Sequence, residues 1–149
     1  MSHALHIQTE REKKVMAVLG YAGLIPFVLC VLAAFFELTF LDLQPGIVFC
    51  TYSVVIVTFL SGTIWGKSLY CDDNKLFYLL SSNLFTLIAW VCLLTAHLLI
   101  ALLVLALCFV ALLFIEARQP NVMGRYYIVM RISLTSIVVV LHILMAFAL

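Results

Sequence analysis

The chain has 149 residues, of which 66% are hydrophobic and only 10% charged, and its formal net charge is +1. A water-soluble domain needs far more charge on its surface. A net charge so close to zero also speaks against a basic face for nucleic acid. The five cysteines, Cys30, Cys50, Cys71, Cys92 and Cys108, form no CxxC pair, so neither a disulfide framework nor a zinc site is expected.

In chain order, residues 1–14 form a short segment carrying Glu10, Arg11, Glu12, Lys13 and Lys14. A run without charge follows over 15–36, long enough to cross a bilayer. It exceeds the apolar stretch of a signal peptide and is read as a retained helix. Inside it, "GYAGLIPF" places Gly20, Gly23 and Pro26 close together, which predicts a kink or unwound turn whose freed carbonyl a neighbour satisfies. A second helix is predicted over 46–65, opened by Gln44-Pro45, because proline costs little in a first helical turn. Asp72, Asp73 and Asn74 suit the N-cap of a third helix over 76–95. The uncharged stretch Leu76–Ile115 would reach about 60 Å as one helix, twice the hydrocarbon core. It therefore reads as two crossings that break near Thr95-Ala96-His97, with the fourth helix over 98–116. That Leu/Ala/Val-rich helix is expected to be the most lipid-exposed or to form a partner surface. A fifth helix over 127–148 is interrupted only by Arg131. The expectation is an all-α integral membrane protein: one domain over 1–149, built as a five-helix transmembrane bundle.

Positive charge sets the orientation. Arg11, Lys13, Lys14, Lys67, Lys75, Arg118 and Arg125 all fall in segments that five crossings place on one side, and Arg131 lies just inside that end of helix five. This predicts a cytoplasmic N-terminus and a periplasmic C-terminus. The expected location is the bacterial inner membrane, with the mitochondrial inner membrane as the alternative.

Polar and small residues inside lipid need partners or permit close approach, so their faces matter. At 100° per residue, Thr51, Thr58, Ser61, Gly62 and Trp65 share one face of helix two. Ile56, Val57, Leu60 and Ile64 lie opposite, with Ser53 among them. Gly62 and Gly66 have GxxxG spacing, expected to serve close helix contact. Helix three groups Ser82, Asn83, Thr86, Ala89 and Trp90, and the two stripes are expected to meet. On helix five, Arg131, Thr135, Val138 and His142 form a third stripe. Arg131 is costly in lipid and is expected to pair with Glu116, with snorkelling as the alternative. His142, His97 and Glu37 are taken as interfacial residues of the opposite end, although two histidines near a carboxylate could bind metal or relay protons.

The stretches "GYAGLIPF", "YSVVIVTFLSGTIWG", "SSNLFTLIAWV" and "RISLTSIVVVL" are similar, in that order, to the uncharacterised bacterial inner-membrane family related to mitochondrial transmembrane protein 69. The resemblance covers most of residues 19–141, and Trp65, Trp90, Arg131 and Thr135 match its pattern. Ile64 stands where the family tends to have His, so no role of that His carries over. Phe85 replaces a typical proline in helix three. The resemblance implies a small multi-pass protein and no reaction.

With no nucleophile or acid–base constellation, the first expectation is a non-enzymatic accessory, assembly or scaffold subunit, with a homo-oligomer or larger membrane complex as partner. It needs no cofactor or metal. The alternative is a binder or transporter of a lipid, quinone or other small hydrophobe in an inner-leaflet pocket between helices two, three and five. The candidate ligand or packing face is Thr58, Ser61, Gly62, Trp65, Ser82, Asn83, Thr86, Trp90, Arg131 and Thr135.

Overall fold

A computed structural model of the chain describes residues 10–39, 42–70, 73–95, 97–119 and 124–149. It contains six α-helices: α1 (Glu10–Ala22), α2 (Ile25–Phe35), α3 (Pro45–Ser68), α4 (Lys75–Leu94), α5 (Leu98–Arg118) and α6 (Gly124–Phe147). Five helical stretches are long and apolar enough to cross a membrane. α1 and α2 together make the first (Glu10–Phe35), and the other four correspond to α3, α4, α5 and α6. The break in the long uncharged stretch falls after Leu94, and α5 begins at Leu98.

α1 and α2 are separated at Gly23-Leu24, within "GYAGLIPF". Pro26 has no N–H to continue the helical ladder, and its ring excludes the carbonyl one turn back. The chain compensates locally: Gly23 and Leu24 still donate to the Leu19 and Tyr21 carbonyls at 3.1 and 3.0 Å. The Tyr52 hydroxyl of α3 donates to the Gly23 carbonyl at 3.0 Å. α2 then ends in a Schellman turn. Glu37 N–H donates to the Ala34 carbonyl, Leu38 N–H donates to that of Ala33, and Glu37 takes φ 54°. Asn74, just before α4, is also left-handed at φ 56°, and its side chain makes no capping bond.

α3 is the central helix, packed against α2, α4 and α5, while α6 packs on α5 and α2. α1 rests on α6, where Tyr21 donates to the Ser133 hydroxyl at 3.2 Å. Phe27, Phe49, Val57, Leu102, Leu105, Leu112 and Met145 form the inaccessible centre. In lipid such a core is held by packing density rather than by expulsion of water. At the end opposite Lys67, α3 starts so close to its neighbours that a Cβ on Gly46 would lie 2.7 Å from Leu98 and 2.8 Å from Leu149.

Three sequence expectations are corrected here. The inward face of α3 is Ser53, Val54, Val57, Leu60, Ser61 and Ile64, whereas Thr51, Thr58, Gly62 and Trp65 are exposed on the outside of the bundle. The polar stripe therefore points outward, with Ser61 its one buried member. The reason is local: Thr51 and Thr58 donate to the Ile47 and Val54 carbonyls at 2.9 and 2.7 Å, so their own helix satisfies them. Gly62 and Gly66 have no atom within 4 Å of where a Cβ would sit, so this pair mediates no contact inside the bundle. α5 is not the peripheral helix, since Leu102, Leu105 and Leu112 are fully enclosed. The first span and α4 are the least buried.

Candidate functional site

Glu116 lies in the last turn of α5, and three donors converge on it. Lys67 at the end of α3 approaches Oε1 at 2.6 Å, the Tyr127 hydroxyl reaches the same oxygen at 2.6 Å, and Arg131 Nε holds Oε2 at 2.8 Å. The Lys67 ammonium also lies 4.5 Å over the Tyr127 ring. Glu116 and Arg131 are buried, and Lys67 is partly open. One carboxylate thus joins α3, α5 and α6. Two further bonds fix the end of α5: Tyr78 of α4 donates to the Arg118 carbonyl at 3.1 Å, and Gln119 Nε2 donates to the Ile64 carbonyl at 3.1 Å. Such a cluster holds charge in an apolar setting because attraction and hydrogen bonding offset lost solvation.

Glu116 leaves Arg131 incompletely served. Its Nη2 is buried without a hydrogen-bond partner, and so is the Thr135 hydroxyl one turn further along α6. Both residues line a cavity of about 380 Å³. Gly20, Leu24 and Phe27 form its α1–α2 wall, Ile56 and Leu60 its α3 wall, and Met130 and Leu134 flank the two polar residues on α6. Leu19 and Phe59, both strongly exposed, stand at its rim, so the cavity opens sideways between α1 and α3. Pockets that take small molecules are of this kind, mostly apolar with a few fixed polar groups.

His142 lies further along the same stripe of α6, in a different setting. It is buried against Phe27, Phe49 and Phe109, with ring centroids 5.9, 4.8 and 5.5 Å away. The Val138 carbonyl lies 2.8 Å from Nδ1, which places a proton there, and the neutral ring accepts at Nε2. The Ser53 hydroxyl, 3.1 Å from Nε2, has one hydrogen to place between that nitrogen and the Phe49 carbonyl at 2.8 Å. His142 is therefore a core residue and not an interfacial one. His97 and Glu37 are exposed, and the described residues hold no group of three His, Cys, Asp or Glu side chains able to share a metal.

Of the expected face, Arg131 and Thr135 line the cavity, and Arg131 is joined to Glu116. Ser61 and Ser82 are buried but do not line it. Thr86 is half-buried and bonds back to the Ser82 carbonyl, and Asn83 bonds back to that of Leu79. Thr58, Gly62, Trp65, Asn83 and Trp90 are on the outside of the bundle. The cavity is thus displaced from the expected place: it is bounded by α1–α2, α3 and α6, with Phe109 from α5, and no residue of α4 lines it. Sequence reasoning missed Lys67, Tyr127 and the glycine wall of α1. Tyr127 was within reach, because it stands four residues before Arg131 and continues the Arg131–Thr135 stripe.

Spans and site together describe an all-helical protein with five helices long and apolar enough to cross a membrane and a cavity open at one side. The chain belongs to the family described as "Protein of unknown function (DUF3429)", which matches residues 12–147. No curated protein and no solved structure matches it.

Proposed function

We propose that this is a non-enzymatic membrane protein that binds a small hydrophobic molecule with a polar head in the cavity between α1–α2, α3 and α6. The observation that carries this reading is the pairing of an apolar space of about 380 Å³ with two buried polar atoms in its wall residues that lack protein partners. An unmet donor in a dry interior costs roughly 1–3 kcal/mol, and both of these belong to residues that line the cavity, which favours an occupant. The sideways opening suits a ligand that arrives through the bilayer. The distribution of Lys and Arg favours a cytoplasmic N-terminus, a periplasmic C-terminus and the bacterial inner membrane. The quoted motifs favour kinship with mitochondrial transmembrane protein 69, which keeps the mitochondrial inner membrane as the alternative.

Purification in native-lipid discs, followed by organic extraction and mass spectrometry, tests the reading. The expected result is one amphiphile class enriched over the surrounding bilayer. A Thr63→Trp variant, which blocks the cavity at its partly exposed edge, should lose that enrichment. Identical extracts from both proteins would refute it.

A second reading, an accessory or scaffold subunit, is favoured by a different observation. Trp65, Trp90, Asn83, Gly62 and Thr58 lie on the outside, where small and aromatic residues suit contact with another helix. A single monomer band in native electrophoresis after mild extraction, with no copurifying subunit, would count decisively against it.

A further inference from the structure

We propose that the occupant is a single-tailed amphiphile with a carboxylate head, bound by Arg131 Nη2 and the Thr135 hydroxyl. This rests on the cavity being a ligand site and adds the chemistry of the ligand.

Three observations define the head. The unpartnered polar atoms of Arg131 and Thr135 both supply hydrogens, and they stand one helical turn apart on α6. The guanidinium presents a planar fork that matches the two oxygens of a carboxylate, and the neighbouring hydroxyl can serve the second. Glu116, moreover, does not pair fully with Arg131. It meets Arg131 through Nε alone and shares its single charge with Lys67 and the Tyr127 hydroxyl. In a medium of low dielectric a guanidinium so shared gains more from an anionic acceptor than from a neutral one.

The walls define the tail. Leu24, Phe27, Leu60, Leu134 and Val138 offer no polar partner to a second head group. The volume of about 380 Å³ is near the small end of ligand pockets, about 300–1,000 Å³, and accommodates one chain. Leu19 and Phe59 at the open edge let a longer tail continue outward.

The test places the whole protein in phosphatidylcholine nanodiscs with hexadecanoic acid carrying a mid-chain diazirine. After irradiation, mass spectrometry should locate the label on lining residues such as Leu24 and Phe59. Unlabelled hexadecanoic acid should suppress labelling at concentrations about tenfold below those of hexadecanol, the size of preference a charge-assisted hydrogen bond supports. Thr135→Val, which keeps shape and removes one donor, should weaken competition by the acid about threefold to tenfold and narrow its lead over the alcohol. Arg131→Gln should abolish the preference. If that variant does not assemble, Thr135→Val decides. Equal competition by acid and alcohol, or an unchanged acid response in Thr135→Val, overturns the carboxylate assignment but leaves a hydrophobe site standing. Labelling that avoids the cavity, or that survives Thr63→Trp, overturns both.

Discussion

Arg131 and His142 share one stripe of α6 and are both buried, yet their surroundings complete them to different degrees. His142 spends both ring nitrogens on Val138 and Ser53, and aromatic rings close on it from α2, α3 and α5. Arg131 has a strong partner at Nε but keeps an unpaired nitrogen, and Thr135 beside it has an idle hydroxyl. The first arrangement is finished by the protein and reads as structure. The second is unfinished and borders empty space, as expected of a site.

Glu116→Ala should disturb this contrast most. It strips the node from Lys67, Tyr127 and Arg131 and should cost about 3–5 kcal/mol, seen as a large fall in the thermal midpoint in detergent. A change below about 1 kcal/mol would mean that the node does not hold the bundle. Ser53→Ala comes next. It leaves His142 Nε2 without a donor in a dry interior and should cost roughly 1–3 kcal/mol in the same assay. Thr135→Val should have the smallest effect. In protein stripped of lipid by detergent exchange, stability should rise, by roughly 1 kcal/mol, because valine removes a buried hydroxyl that has no protein partner. Ser53 and Thr135 are both buried hydroxyls on the bundle interior, so equal losses would erase the distinction between finished and unfinished surroundings.

Much of the scaffold was legible in the sequence. Uncharged length located the spans, Thr95 and His97 fall between the end of α4 and the start of α5, and Gly23 with Pro26 marked the break in the first span. The Glu116–Arg131 pairing was also readable, because an arginine one turn inside lipid demands a counter-charge. The inward face of α3 was not. Rotating a helix by polarity assumes that hydroxyls seek the bundle, but Thr51, Thr58, Thr63, Ser82 and Thr86 all return theirs to carbonyls three or four residues back. Once satisfied that way, they no longer decide which face turns inward. Close fit decides instead, and the packing of Val57, Leu60 and Ile64 against neighbouring helices leaves no simple trace in sequence. The cavity was illegible for the same reason, since it is a failure of fit between α1 and its neighbours.

The Glu116 node also bears on how the chain comes to be assembled. Its three helices leave the ribosome in the order α3, α5, α6, so Lys67 emerges first, the carboxylate second, and Tyr127 and Arg131 last. Until α6 arrives, Glu116 lacks two of its three donors. Once α6 docks, all three are in place, and withdrawing any one helix exposes a charge to lipid. Arrival of α6 and closure of the Glu116 cluster therefore coincide at one side chain.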